Sequence, residues 1–437
     1  MSSPVSRRSH WIDLTPFRRS PAFFRLWLGT GIAGVGSQMT VVAVGLHIFD
    51  LTGSTGAVAL VGVVGLLPMI VAGLYGGVLA DTFDRRIVAI VAETVAWISV
   101  LGLAALAWLH IDVLWVYYVL TTLTAVATTI VGATRMAIVP RLVDKELLPA
   151  ASALGGISMG VGITLGPALA GVLVATVGIQ WTYTIDAVLF LAAFTGILTL
   201  PAIRPEGGGT ARGVPALAEG LAFLRRAPNI RLSFLIDIIA MTFGMARVLY
   251  PAVGALVIGG GAVTVGILFA AGAVGTLLSS LFSGRLGHVR RHGVAIRNAV
   301  MAYGLCMLAF GLVLLPLGSR PSGSITDSLD SANLPALVLA ALALAGAGAA
   351  DNISSVFRTS MMQSAVPDSM RGRTQGVYIV VVTGGPRLGD AYVGLMVATT
   401  LLWLPSVLGG VLVVALVALL VRLNRSFREY DALNPLP

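Results

Sequence analysis

The chain has 437 residues, of which 57% are apolar and 11% charged, with a mean hydropathy of +0.93. A soluble fold of this composition has too few polar residues to cover its surface, so a cytosolic enzyme, a disordered chain and a disulfide-stapled secreted domain are excluded. The net charge of +9 raises nucleic acid as a partner, but the basic residues are scattered over separate segments and read as a topology signal.

The first twenty residues hold Arg7, Arg8, Arg18 and Arg19 and no apolar core, which predicts a retained tail rather than a cleaved signal peptide. Twelve apolar runs follow, each near the ~20 residues that a spanning helix needs. They cover about 24–49, 56–79, 87–109, 113–138, 150–177, 182–202, 231–257, 262–284, 293–317, 335–357, 374–398 and 402–421. Spans 1, 4, 10 and 11 hold the most polar residues. An even number of spans puts both termini on one side. All but three of the 28 Lys and Arg residues fall on that side: Arg320 lies in an opposite loop, and Arg247 and Arg387 lie inside spans. Arg358 counts among the markers of the loop between spans 10 and 11. Basic loops stay in the cytoplasm, so both termini are expected there, in a plasma or inner membrane. The 52 glycines suit close helix packing, and the single cysteine, Cys306, has no internal partner for a disulfide.

The polar stretch 203–230 divides the chain. Residues 1–202 form a tail and six spans, 203–230 a cytoplasmic linker, and 231–437 six more spans and a C-terminal tail. The linker starts Gly-rich and continues with Leu217, Leu221 and Leu224 at helical spacing, which predicts a short amphipathic helix. Residues 318–334 read as a polar external loop. The two halves repeat. Arg25-Leu26 opens span 1 as Arg231-Leu232 opens span 7, GVLADTFDRR from Gly77 closes span 2 as GRLGHVRRHG from Gly284 closes span 8, and Arg135 closes span 4 as Arg358 closes span 10. The fold class is therefore an all-α polytopic membrane protein of twelve helices in two pseudo-symmetric six-helix bundles.

The segment Gly77-Val-Leu-Ala-Asp81-Thr-Phe-Asp84-Arg85-Arg86 resembles the loop 2–3 motif of the major facilitator superfamily, with Thr82 where that motif often has Arg. The second copy keeps Gly284 and Leu286 but has His288 at the acid position. The resemblance implies a gating role. Gly77 permits close helix contact, and Asp81 faces the positive N-terminus of span 11 near Gln375 and Gly376. Asp84 belongs to the same motif, and Arg85 and Arg86 find lipid or carboxylate partners. Gly162-x3-Gly166-Pro167-x3-Gly171 in span 5 resembles the antiporter motif of exporters in that superfamily. Small residues at this spacing also serve simple close packing. Within the superfamily the chain is similar to the branch of siderophore exporters and macrolide or multidrug efflux proteins.

Ionisable residues inside spans are costly and mark candidate sites. Span 7 holds Asp237 and Arg247, which a continuous helix would separate by about 15 Å, too far to pair. Span 10 holds Asp351 and Asn352. Arg387 and Asp390 in span 11 share a face and can pair. Asp237 and Asp351 are the candidate proton carriers, and Arg247 a candidate anion contact. Each could equally be a satisfied structural charge. In the first half, Gln38 and Thr40 face a cavity, Glu93 sits two turns into span 3, and Asp186 starts span 6 near the outside. His47 reads as interfacial, and Arg135 as a cytoplasmic gate residue paired with loop acids. The tryptophans sit mostly near span ends and read as interfacial anchors.

Gly156-Ile-Ser158-Met-Gly160 spells G-x-S-x-G, but inside a membrane helix and without a strand–turn–helix context. No metal-ligand spacing or nucleotide loop is present, so neither enzyme nor cofactor is expected. The reading is a proton-coupled exporter of a bulky, mostly apolar drug-like compound, with siderophore export as the alternative. The expected partners are a small molecule, protons and lipid, with a monomeric chain. Cysteines introduced as Gly208→Cys and Ser324→Cys check the topology: in intact cells an impermeant reagent should label position 324 and not 208.

Overall fold

The computed structural model describes residues 14–144, 147–204, 214–281, 289–317, 332–397 and 401–436. Among them the chain is helical, with a single bridge between Asp431 and Asn434. Local chemistry sets the helix ends. Ser20 caps α1 (Pro21–Thr52) by accepting from the Phe23 N–H at 3.1 Å, and Pro21 fills a first-turn position that needs no N–H. Gly53 closes α1 in the left-handed region (φ 61°), and Ser54 caps α2 (Thr55–Thr82), so the chain reverses sharply. Asp84 caps α3 (Arg85–Leu109), followed by α4 (Leu114–Leu142), α5 (Leu148–Thr176) and α6 (Ile179–Leu198). After a short helix Val214–Arg226 come α7 (Pro228–Gly244), α8 (Gly261–Leu281), α9 (His292–Leu314), α10 (Leu334–Ala365), α11 (Asp368–Val397) and α12 (Leu404–Leu423).

Eleven of the described helical segments are long and apolar enough to cross a membrane; α11 is long enough, at 30 residues, but more polar. The outer surface is apolar, with Leu67 70% and Leu395 72% exposed, as lipid contact requires. Most hydroxyls of the threonine-rich α4 are satisfied locally. In α4 the hydroxyls of Thr121, Thr124, Thr128, Thr129 and Thr134 donate to carbonyls one turn earlier, which keeps this threonine-rich helix compatible with a membrane.

Helix neighbours in the first half recur in the second. The pairs α1–α6, α2–α4, α3–α4 and α3–α6 correspond to α7–α12, α8–α10, α9–α10 and α9–α12. Two pseudo-symmetric six-helix bundles result, meeting along α5–α8 and α2–α11. Glycine makes these approaches close. A Cβ on Gly171 of α5 would lie 2.7 Å from the Gly266 Cα of α8, and one on Gly394 of α11 would lie 2.8 Å from the Ala59 Cβ of α2.

Two expectations are corrected. Span 7 is not one continuous helix: α7 ends at Gly244 and the chain resumes as a 3₁₀ turn at Arg247–Leu249, one α turn and a π turn ending at Val257. Helix α10 runs on to Ala365, so Arg358 is a buried helix residue and not a loop marker, because acids on α7 and α10 neutralise it. The expected linker helix forms over Val214–Arg226 and packs against α11, with Leu224 buried and Leu221 49% exposed. The C-terminal tail is docked: the Tyr430 hydroxyl lies 3.2 Å from Ser364 Oγ, and Ala432 N–H donates to the Arg290 carbonyl at 3.0 Å. Leu217's side chain, most of the Gly-rich linker, most of the 318–334 loop and residues 284–288 of the second motif copy lie outside the described residues.

Gly348 of α10 abuts the Gly272 carbonyl of α8, so Gly348→Val should overpack this contact by about 1–3 kcal/mol. Thermal unfolding in detergent should show the loss. Gly155→Ala, where nothing lies within 4 Å, should leave the midpoint unchanged.

Candidate functional site

A cavity of about 460 Å³ lies between the bundles, lined by Gln38 of α1, Pro167 of α5, Arg247 and Tyr250 beyond the end of α7, Tyr303 of α9 and Asp351 of α10. Met241, Met245 and Met307 supply adaptable apolar wall. The break in span 7 forms part of it. Gly244 packs against the Tyr303 ring where a Cβ would overlap it, and Pro251 offers no N–H and crowds the carbonyl four residues earlier. The chain therefore leaves the helical path at Met245 and sets Arg247 at the cavity wall.

The charges around this cavity form two clusters. Arg358 donates from Nη1 to Asp237 Oδ1 in a fully buried pair, and its Nη2 lies 3.5 Å from Asp351 Oδ1. Asp390, almost fully buried on α11, receives Arg247 at 3.4 Å and Arg387 at 3.4 Å. Arg387 also reaches the Met69 sulfur of α2 at 3.5 Å, and the Asp390 carboxyl is pressed against Gly62 of α2. One cluster has two acids on one guanidinium, and the other two guanidiniums on one acid. Together they are neutral, but each has an excess charge facing the cavity: Asp351 in the first and the 31% exposed Arg247 in the second. Asn352 donates to Ser279 Oγ at 2.9 Å and Ser280 Oγ at 3.0 Å, tying α10 to α8.

Of the sequence candidates, Gln38, Arg247 and Asp351 meet at the cavity. Asp237, Arg387 and Asp390 lie behind it as charge partners, and Glu93 lies in the other bundle. Glu93 is buried on α3, in the same bundle as Arg135 of α4. Asp186 is not at the outside: it sits mid-helix in α6, fully buried, and accepts from Thr40 Oγ1. His47 lies near the outer end of α1 as expected and is buried there, 3.3 Å from the Tyr183 hydroxyl. Sequence reasoning missed Arg358, although two acids in spans 7 and 10 already demanded a nearby cation.

In the loop 2–3 motif, the Asp84 carboxylate accepts from Arg86 N–H at 2.9 Å and Ile203 N–H at 3.1 Å. Arg85 Nη1 donates to the Ala137 carbonyl at 2.9 Å and Arg86 Nη2 to the Leu198 carbonyl at 2.8 Å. Both arginines thus meet carbonyls near the ends of α4 and α6, where the helix dipole is negative. The side chains of Gly77, Asp81, Gln375 and Gly376 lie outside the described residues. In the span 5 motif, Gly162 and Gly166 pack on α1 (a Cβ at Gly166 would lie 2.7 Å from the Val35 carbonyl oxygen), while Gly171 packs on α8. Gly266 of α8 faces the Pro167 carbonyl. One stripe of small residues thus serves a contact within its own bundle and one between bundles.

Twelve helices in two matched bundles around a central cavity define a transporter of the major facilitator superfamily. A family model described as "Transmembrane secretion effector" matches residues 12–437, and the chain belongs to that family. It is 28% identical over 428 residues to "Enterobactin exporter EntS" of Shigella boydii serotype 18, covering 97% of this chain and 98% of that protein. It is 28% identical over 390 residues to the protein of the same name from Citrobacter koseri, covering 89% and 88%. Among solved structures it is similar in fold to a D-xylose-proton symporter (TM-score 0.68, 12% identity, 95% of this chain and 98% of that one). The nucleoside transporter NupG is similarly alike (TM-score 0.64, 14% identity, 94% and 99%). Fold and relatives are those of transporters, not enzymes.

The Arg358 cluster makes a direct prediction. Arg358→Leu leaves two acids facing one another without a cation and should destabilise the protein by about 3–5 kcal/mol. Adding Asp237→Asn should recover a substantial part of that loss, read as a rise in thermal midpoint from single to double variant. Additive losses would show that the three groups act independently.

Proposed function

We propose that the protein exports a bulky anionic small molecule of the siderophore class by proton-coupled alternating access. The observation that carries this reading is Arg247: a partly exposed guanidinium at a helix break, held loosely at 3.4 Å by an acid that has a second arginine. An anion arriving in the cavity can take the Arg247 fork while Asp390 keeps Arg387, so no charge is stranded. Gln38, Tyr250 and Tyr303 supply polar groups, and the methionines accept aromatic ring faces. The relatives named as enterobactin exporters support this substrate class over the apolar drug reading, which has no use for an exposed arginine. Asp351 is the proposed proton-exchanging carboxylate of the cavity, sharing Arg358 with Asp237. Residues 1–202 and 231–437 are the proposed rocking units, joined by 203–230. The proposed setting is a monomer in the cell membrane with both termini cytoplasmic, and Asp81, Asp84, Arg85, Arg86 and Arg135 form the proposed cytoplasmic gate.

Inside-out proteoliposomes with an imposed pH gradient test this. A tris-catecholate siderophore should accumulate, and a lipophilic cation should not. Arg247→Ala removes a charge-assisted contact worth about 1.5–3 kcal/mol, so affinity for the catecholate should fall about 10–100-fold. Accumulation of the cation alone, or unchanged catecholate affinity in Arg247→Ala, overturns the substrate assignment. Asp351→Asn should lose pH-driven accumulation while keeping downhill exchange.

A further inference from the structure

The first bundle contains a polar column that the central cavity does not use. At the end opposite the termini lies a second cavity of about 660 Å³, lined by His47, Asp50, His110 and Asp112 of the first bundle and by Pro251 and Ala262 of the second. His47 forms part of its wall. Its Nδ1 lies 3.3 Å from the Tyr183 hydroxyl, and its ring stands edge-on to Tyr117 at 4.8 Å. Tyr183 is fully buried on α6, and Asp186 follows it at i+3 on the same side of that helix. On α1, Thr40 stands two turns from His47 on the same face and donates its hydroxyl to Asp186 Oδ2. His47, Tyr183, Asp186 and Thr40 therefore line the α1–α6 contact in sequence, from cavity wall to bundle interior.

Asp186 is unlike the other membrane acids. It is fully buried, and its Oδ1 is buried with no hydrogen-bond partner among the described residues. The carboxyl is pressed against Gly36 of α1, where a Cβ would overlap it. Among the described residues no Lys or Arg of the surrounding helices forms an ion pair with it. From α1 come Thr40 and His47, and from α4 Tyr117. Glu93 of α3 is itself an acid, and α5 has no ionisable residue. Asp237, Asp351 and Asp390 each have an arginine within 4 Å, whereas no such pair includes Asp186. An unpaired carboxylate in such a place is costly, while a proton on Oδ1 removes the charge and gives the unpartnered oxygen its hydrogen.

We propose that Asp186 is an exchangeable proton-binding carboxyl, loaded from the second cavity through His47 and the Tyr183 hydroxyl, and that it takes up a proton exchanged for substrate. The coupling part rests on the proton-driven reading given above. In the loading step a hydronium in the cavity gives a proton to the imidazole, and the other ring nitrogen gives one to the Tyr183 oxygen as the tyrosine O–H proton leaves. The Tyr183 hydroxyl is not hydrogen-bonded to Asp186, so a water entering from the cavity takes that proton and gives one of its own to the carboxylate. Only O–H and N–H bonds are exchanged, and one positive charge moves inward. An exporter driven by incoming protons requires such loading from the side on which substrate leaves.

The full chain in lipid nanodiscs provides the test by infrared difference spectroscopy at neutral pH. Asp186→Asn should remove one protonated-carboxyl C=O band that Asp351→Asn leaves in place. Thr40→Val should shift that band without removing it, and carries the test should Asp186→Asn not fold. His47→Phe should slow hydrogen–deuterium exchange of the band by about tenfold or more. The absence of any such band, or an exchange rate indifferent to His47→Phe, overturns the proposal. In proteoliposomes Asp186→Asn should cut pH-driven accumulation about tenfold or more while sparing downhill exchange, and accumulation at the unaltered rate overturns the coupling role. A parent protein that ignores the pH gradient yet shows the Asp186 band refutes the proton-driven reading and upholds the proton site.

Discussion

A charge inside an apolar helical bundle has to be compensated where it stands, because neither lipid nor a dry core can solvate it. That constraint organises the second bundle. Arg358 gathers acids from α7 and α10, and Asp390 gathers arginines from α11 and the broken end of span 7. Each hub is one partner over its own charge. The surplus groups, Asp351 and Arg247, are the two charged side chains among the described residues that line the central cavity. Compensation is complete over the pair of clusters and incomplete within each, which leaves one acid and one base available to an occupant without unpaired charge elsewhere.

The break after Gly244 makes this arrangement possible. A continuous helix would hold Arg247 on a fixed face with its backbone groups internally bonded. Departure from the helical path lets Arg247 reach Asp390 and the cavity together. Irregular backbone at this depth survives where it lines a cavity and is covered by protein rather than lipid. Its cover includes the Tyr303 ring against Gly244 and the α11 backbone at Gly389, whose Cβ would lie 2.6 Å from the Met241 carbonyl.

Small residues provide the complementary constraint. Where the bundles meet, backbone approaches backbone at Gly171 and Gly266 along α5–α8, while along α2–α11 Gly62 receives the Asp390 carboxyl and Gly394 faces the Ala59 Cβ. Small residues let the α5 and α8 backbones lie directly against each other, whereas α2–α11 also carries side-chain contacts. The Asp390 cluster sits directly at one of these surfaces, with Arg387 touching Met69 across it. Charge state at the cavity and helix contact at the bundle interface are thereby physically adjacent.

The architecture was legible in the sequence because lipid imposes it locally: runs of about twenty apolar residues, basic loops on one side and a repeated order of anchors need no tertiary information. The superfamily followed from the loop 2–3 motif, and the Arg387–Asp390 pair from helical spacing alone. The identity of charge partners was not legible, because it depends on which helix faces meet. Arg358 read as a loop marker when taken along the chain and became the hub of a cluster once α7 and α10 were packed together. Asp186 and His47 read as residues near the outside, since sequence measures distance from a span end and not enclosure by neighbours; α1 and α6, packed at Gly36 and Thr40, turned them into a buried column. The break in span 7 was equally hidden: Gly244 and Pro251 are tolerated in many continuous membrane helices. The sequence by itself determined a twelve-span duplicated transporter, because that follows from the solvent; only the tertiary structure decided which of its charges are free to act, because compensation is a property of neighbours in space.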